Sequence, residues 1–217
     1  MNPDSRKIRL ILHLRHNGIT DSKVLGAIER VPRDIFVPEA FRDQAYEDVA
    51  LPIGYQQTVS QPTVVARMTE ALDLGPRMKV LEVGTGSGYQ TTVLAALCRR
   101  VYTVERHRPL LAEAERRLAD LRITNVTAAA RDGLKGWPEQ APFDRILVTA
   151  AAAAVPDALA EQITIGGILV LPIGPYDGDQ EILKIIRTDE GYETERLGPV
   201  RFVPIVPGLA DAVPTKG

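Results

Sequence analysis

Val80-Leu81-Glu82-Val83-Gly84-Thr85-Gly86-Ser87-Gly88-Tyr89 is the stretch on which the fold turns. A short apolar run suited to a buried strand leads into three alternating glycines, and Val93, Leu94 and Leu97 come next at helical spacing. Glycine has no β-carbon, so such a turn can curl tightly and lie against a ligand. Further along, the pattern repeats. Val101 to Val104 reads as a second strand, and Pro109 opens a helix carrying Leu110, Leu111, Ala114 and Leu118. Val126 to Ala129 is a third strand, Phe143 to Val148 a fourth, Pro156 to Ile163 a helix and Ile168 to Leu171 a fifth strand. Strictly alternating strands and helices call for a parallel sheet covered on both faces. Period-two stretches between Glu181 and Ile205, such as Ile182-Leu183-Lys184-Ile185-Ile186, suit antiparallel edge strands. The fold class expected is therefore α/β: three layers around a mostly parallel sheet with antiparallel C-terminal strands.

Upstream the pattern is helical. Ile8, Ile11, Leu12 and Arg15 keep helical spacing as far as Asn17-Gly18, and Val24, Leu25 and Ile28 mark a second helix that opens near Thr20-Asp21 and closes before Pro32. Pro32 to Gly54 holds Pro32, Pro38 and Pro52 among several aromatics and reads as a mostly irregular cover. A third helix is expected after Ser60-Gln61-Pro62, with Val64, Val65, Met68, Ala71 and Leu72 as its buried stripe and Ser60 as its N-cap. The chain is thus expected to be one domain, with a cap over residues 1–75, a cofactor-binding core over 76–175, C-terminal strands over 176–209 and a loose tail over 210–217.

Composition excludes several functions. The 217 residues are 45% hydrophobic and 25% charged, a globular balance. A net charge of -2 removes the bulk electrostatic case for a nucleic-acid binder. One Cys excludes a disulfide framework or a multi-cysteine metal site and fits a reducing compartment. No stretch approaches the roughly 18 apolar residues of a membrane span, and Met1 to His13 lacks a signal-peptide core. A soluble, cytoplasmic, monomeric domain without a metal, acting without nucleic acid or membrane, is expected.

Ligands of such sheets sit beyond the strand C-termini. Gly84, Gly86 and Gly88 fall at that turn, with Ser87 between the last two. Glu105 closes the second strand 21 positions after Gly84, where a carboxylate accepts from the hydroxyls of an adenosine ribose. Asp132, with Gly133 after it, ends the third strand, where a carboxylate meets the adenine edge; the pair is also an ordinary Asp-Gly turn. Glu82 is acidic where a nicotinamide-binding turn is apolar, and it would repel a pyrophosphate but orient a cationic amino-acid moiety. S-adenosylmethionine, with its sulfonium and ammonium, suits this polarity better than NAD, and a Rossmann-like S-adenosylmethionine-dependent methyltransferase fold is expected.

The residues after the fourth strand narrow the acceptor. Thr149-Ala150-Ala151-Ala152-Ala153-Ala154 stands where amine methyltransferases of adenine or cytosine carry Asn/Asp-Pro-Pro-Tyr/Phe. Cys98 lies in the helix after the glycines and reads as core rather than as a nucleophile, and His13, His16 and His107 read as surface residues. No general base is visible. A carboxylate acceptor needs none, because a carboxyl with a pKa near ~3.5 is already ionised at pH 7.

Val31-Pro32-Arg33-Asp34-Ile35-Phe36-Val37-Pro38, Leu51-Pro52-Ile53-Gly54 and Gln57-Thr58-Val59-Ser60-Gln61-Pro62 resemble the N-terminal half of protein-L-isoaspartate O-methyltransferases. Leu81 to Thr91 is similar to their cofactor loop. Ala141-Pro142-Phe143-Asp144, Gly166-Gly167, Leu171-Pro172-Ile173-Gly174 and Val200-Arg201-Phe202-Val203-Pro204 continue the resemblance. It implies methylation of the free α-carboxylate of L-isoaspartyl residues in damaged proteins, after which the ester collapses to a succinimide. It also implies Ser60 as the active-site hydroxyl. Glu105 would bind the ribose, Asp132 the adenine, the three glycines the methionine end, and Val59 with a Phe202-Val203 strand the substrate backbone. Arg131 and Gln56 depart from the family pattern, each standing where glycine is usual. The rival enzyme reading is a relative that esterifies an ordinary aspartate in a peptide product to form an aspartimide. Such relatives carry a further C-terminal segment, so an end soon after Pro204 favours repair. A non-catalytic cofactor-binding module is the rival of another class, disfavoured by Ser60 and Phe202-Val203-Pro204.

Overall fold

The computed structural model describes residues 3–210. Helices α1 (Pro3–His16) and α2 (Ser22–Arg30) meet at a break where Gly18 takes φ +89°. Asp21 caps α2 by accepting from the Lys23 amide at 2.7 Å. Their inner faces, including Leu10, Leu14, Val24 and Ile28, pack with Phe36 into one apolar cluster.

The segment expected to be irregular holds two 3-10 turns, Arg33–Phe36 and Glu39–Gln44, and then a hairpin that the sequence did not announce. Strand β1 (Leu51–Gly54) pairs antiparallel with β2 (Gln57–Val59). Its connecting residues, Tyr55 and Gln56, lie at φ 51° and 58°. Tight hairpin turns need such left-handed residues and favour Asn and Gly there, so Tyr-Gln carries no recognisable turn signal.

Helix α3 (Pro62–Ala71) corrects the expected cap. Gln61, not Ser60, occupies the N-cap position, and it makes no side-chain cap bond. Asp48 does that work from a distant segment. It accepts from the Thr63 amide, the Thr63 hydroxyl and the Gln61 side chain, each at 2.8 Å, and pairs with His13 Nε2 at 3.0 Å. Burial pushes the Asp48 carboxyl up, but these hydrogen bonds outweigh it and hold the group below its ordinary value. A fixed anion here also answers the positive end of the α3 dipole.

Seven strands form the main sheet: β3 (Lys79–Val83), β4 (Arg100–Glu105), β5 (Val126–Ala130), β6 (Phe143–Val148), β7 (Ile163–Ile173), β8 (Gln180–Arg187) and β9 (Tyr192–Val200). Their order is β5-β4-β3-β6-β7-β8-β9. The first five pair in parallel, whereas β7 with β8 and β8 with β9 are antiparallel, so the final strands simply fold back one after another. The α/β class and the antiparallel end stand as expected. Strand β7 starts five residues early, and the helix before it, α6, covers only Asp157–Ala160. Gly166, at φ +74°, and Gly167 sit where the pairing with β6 slips between Phe143–Ile163 and Arg145–Ile168. The glycines let an irregular stretch remain in the strand.

Strand parity sorts the core. Val80, Val101, Leu147 and Val170 face one apolar layer with Met68 of α3, Leu72 just after it and Leu94 of α4 (Tyr89–Ala95). Leu81, Val104, Ile146 and Leu169 face the other, with Trp137, Phe143 and Leu159. Helix α5 (Arg108–Asp120) covers β4 and β5. The chain leaves β3 toward β4 and β5 and later returns to its opposite side as β6. A crevice opens at the strand C-termini where the order reverses.

Candidate active site

That crevice is a cavity of about 500 Å³ at the ends of β3, β4 and β6, bounded by the β1–β2 hairpin on one side and residues 202–206 on another. Gly84 and Gly86, both at positive φ, form part of its floor with Thr85 and Ser87. A β-carbon at Gly84 would collide with the Thr149 hydroxyl, which donates to the Val83 and Gly84 carbonyls at 3.0 and 2.8 Å. Thr149 begins the alanine run after β6, so the run's first residue clamps the glycine turn. Gly88 lies off the cavity wall. A β-carbon there would come within 3.3 Å of Ala114, so its smallness seats the turn against α5.

Glu105 lines the cavity although only 6% of it is exposed. One oxygen accepts from the Gly86 amide and the other from the His107 amide, both at 2.9 Å. Each carboxylate oxygen can accept more than one bond, so the locked group can still receive two outside hydroxyls.

Glu82 does not reach the cavity. Parity turns it toward α4, beneath the glycine turn, where it is wholly buried. Its Oε2 accepts from Thr91 at 2.5 Å and Thr103 at 2.7 Å, whereas Oε1 has no partner. Burial, with the nearby Glu105 charge, pushes its pKa up to about 8 against the two threonine hydrogen bonds. Thr103 in turn bonds Thr85 at 2.7 Å, so a hydroxyl relay links the buried acid to the cavity wall.

Asp132 is likewise absent from the wall. Its side chain accepts from the Leu134 amide at 3.0 Å and caps a 3-10 turn, while its neighbour Gly133 does line the cavity. Arg131 does not crowd the site: it lies over the Trp137 ring at 4.6 Å and pairs with Glu139 at 2.9 Å.

Across the cavity stand Val59 and Ser60. With the Thr63 amide served by Asp48, the Ser60 hydroxyl has no hydrogen-bond partner among the described residues, while the Ser60 carbonyl accepts from Arg33 at 2.8 Å. Phe202 and Val203 also line the cavity, but they form no strand. Gln180 holds the Phe202 amide at 2.7 Å and its carbonyl at 3.2 Å, and the Val203 carbonyl accepts from Ala151 at 2.8 Å. The side chain of one residue therefore replaces a strand partner. Ala210, expected in the loose tail, donates its amide to Arg106 at 3.1 Å; the rest of that tail lies outside the described residues.

Sequence reasoning missed Tyr55, Tyr176 and His107. His107 lines the cavity with its ring 5.4 Å from Tyr55, and it is not a plain surface residue. Burial lowers its pKa, Glu105 opposes that, and Arg106 adds to it. Its position two residues after Glu105 was the available signal.

The donor set suits a nucleoside-type cofactor, because a carboxylate with spare lone pairs stands beside the glycine floor; Glu82, expected to orient a cationic moiety, is turned away from the cavity and held towards its neutral form by burial. Among the described residues no cluster of His, Cys, Asp and Glu is arranged to hold a metal. Sheet, turn and carboxylate together define a three-layer, Rossmann-like α/β protein with its ligand crevice at the switch in strand order.

Residues 5–210 match the protein-L-isoaspartate(D-aspartate) O-methyltransferase family. A protein-L-isoaspartate O-methyltransferase of Rhodospirillum rubrum is 61% identical over 211 residues, which cover 96% of each chain. That of Paramagnetospirillum magneticum is 59% identical over 209 residues, 96% of this chain and 98% of the relative. A Plasmodium falciparum structure described as a protein-L-isoaspartate O-methyltransferase in complex with S-adenosyl-L-homocysteine aligns with a TM-score of 0.81 at 25% identity, covering 95% of this chain and 99% of that one. The chain belongs to the protein-L-isoaspartate(D-aspartate) O-methyltransferase family.

Proposed function

We propose that the chain transfers a methyl group from S-adenosyl-L-methionine to the free α-carboxylate of L-isoaspartyl residues in damaged proteins and peptides, giving an ester that collapses to a succinimide. The observation that carries this reading is one cavity with the glycine turn and Glu105 on one wall and an unengaged serine hydroxyl, Ser60, on another. The cofactor supplies an electrophilic methyl on a sulfonium. Glu105 accepts from its ribose, and Gly84, Gly86, Ser87 and Gly133 line its bed. Gly88, Glu82 and Asp132 act from behind, by packing the turn, relaying hydrogen bonds through Thr103 and Thr85, and capping the turn that presents Gly133.

Ser60 donates to the acceptor carboxylate, which is already ionised and needs only orientation and partial desolvation. Val59, Phe202 and Val203 hold the substrate backbone. The Phe202 amide and carbonyl and the Val203 carbonyl are engaged within the protein, so the Val203 amide is the group left to bond a peptide. No helix among the described residues is long and apolar enough to cross a membrane. The single buried Cys98 supports a reducing, cytoplasmic setting, and we take the working unit to be a monomer.

The test is methyl transfer to paired peptides differing only in isoaspartyl or aspartyl linkage. Strong preference for the isoaspartyl peptide supports repair; equal rates would favour aspartimide formation instead. Ser60→Ala should lower kcat roughly tenfold or more, as expected for loss of a positioned hydrogen-bond donor, with little change in cofactor affinity. An unchanged rate would remove Ser60 from the reaction.

A further inference from the structure

Arg33 is a fully buried arginine with no carboxylate bonded to it. Removing a guanidinium from water is costly unless it is well partnered, so a reason is needed for its retention in the cap. Its donors go to backbone carbonyls: Nε to Ala45 at 2.8 Å, Nη2 to Ser60 at 2.8 Å and to Val49 at 3.4 Å. The fork therefore gathers the end of the second 3-10 turn, the approach to β1 and the residue before the N-cap of α3. Its guanidinium carbon lies over the Tyr89 ring, 4.7 Å from the ring centre. Tyr89 comes directly after Gly88 and lines the cavity, as Ser60 does. Arg33 thus spans the two walls: it bonds the backbone of the proposed acceptor-side serine and stacks on the first residue of the helix that leaves the cofactor turn. Nη1 and the Tyr89 hydroxyl are both buried, and Tyr89 favours the charged form of the guanidinium against its desolvation.

We propose that Arg33 is a positioning residue for methyl transfer, setting the distance of Ser60 from the glycine-turn wall through the Ser60 carbonyl and the Tyr89 ring. The inference rests on the Ser60 role proposed above. Lysine cannot substitute, since an ammonium lacks the planar fork that reaches several carbonyls while stacking on a ring. A misplacement of about 1 Å at a reacting group costs on the order of a hundredfold in rate.

The experiment is a double-mutant cycle of Arg33→Lys with Ser60→Ala, reading kcat on an isoaspartyl peptide and affinity for S-adenosylhomocysteine. Arg33→Lys should lower kcat tenfold to a hundredfold while the affinity changes less than about twofold, and it should cost nothing further in the Ser60→Ala background. The same factor lost in both backgrounds, or affinity falling in step with kcat, would overturn the inference and leave Arg33 a structural pin. If Ser60→Ala alone keeps the native rate, the Ser60 role fails, and this inference with it; if only the coupling is missing, the Ser60 role stands. Should the lysine variant not fold, Arg33→Gln, which keeps one donor for a carbonyl, enters the same cycle.

Discussion

Two fully buried ionisable groups flank the cavity from behind, and they are held in different ways. Glu82, under the glycine turn, is held through one oxygen by hydroxyls from β4 and α4, elements adjacent to it in the sheet and crossover. Arg33, behind Ser60, is held through Nε and Nη2 by backbone carbonyls at residues 45, 49 and 60. The first arrangement stems from regular elements, because Glu82 sits opposite Thr103 in the parallel pair and faces Thr91 of the helix that follows its own strand. The second exists only after the cap has folded against itself. The cofactor side is therefore built by regular secondary structure, and the acceptor side by tertiary bonds to irregular backbone.

The largest test of the regular side is Gly84→Ala. Its φ of +99° and the collision with Thr149 should reduce S-adenosylhomocysteine affinity by at least about tenfold, measured by calorimetry, because strain and steric overlap act together. An unchanged affinity would mean that Thr149 yields freely and does not clamp the turn. Glu82→Gln should have a conditional effect. The folded-state pKa of about 8 lies above the ordinary 4.5, so the acid's contribution is fully present below about pH 4.5 and is lost as pH rises toward 8. The glutamine variant should lose that slope and melt several degrees higher than native at pH 8.5, since each kcal/mol is worth roughly 2–4 °C in a chain of this size. Melting curves from pH 5 to 9 check this.

On the irregular side, Asp48→Ala removes the acceptor from the Thr63 amide, the Thr63 hydroxyl and Gln61. A loss of about 1–2 kcal/mol is expected, the usual cost of deleting a helix cap, read as a lowered midpoint in urea. Because its folded pKa is lowered, that stabilisation is present above about pH 4 and disappears in the native protein as pH falls through the depressed value. The smallest effect belongs to the hairpin tip. Gln56→Gly relieves a left-handed residue and should stabilise by at most about 1 kcal/mol, an outcome that a neutral or lowered melting temperature would contradict.

Legibility divides along the same line. Strand β6 is located to the residue by its apolar run, and α2, β3, β4 and β5 nearly so, because period and apolar runs report local burial; α1 begins at Pro3 and buries Leu10 and Leu14, whereas Ile8 and Leu12 of the expected period are exposed. Glu105 is found because its spacing from the glycines is set by one strand–helix–strand unit. Glu82 and Asp132 are expected at the ligand but stand behind the wall, since spacing along a strand does not tell which face a side chain takes when a turn comes next. The Ser60 cap fails because the acceptor comes from Asp48, and no local pattern announces a cap supplied from a separate segment.

By itself the sequence determined the alternating α/β core, the glycine turn with its carboxylate and the family motifs, all of which depend on neighbours within a few dozen residues. The tertiary structure alone decided that Asp48 rather than Ser60 caps α3, that Arg33 ties the serine wall to Tyr89, and that Gln180 takes the place of a strand beside Phe202. Each rests on contacts between groups at least a dozen residues apart, and such partners are chosen by the packing of the whole chain.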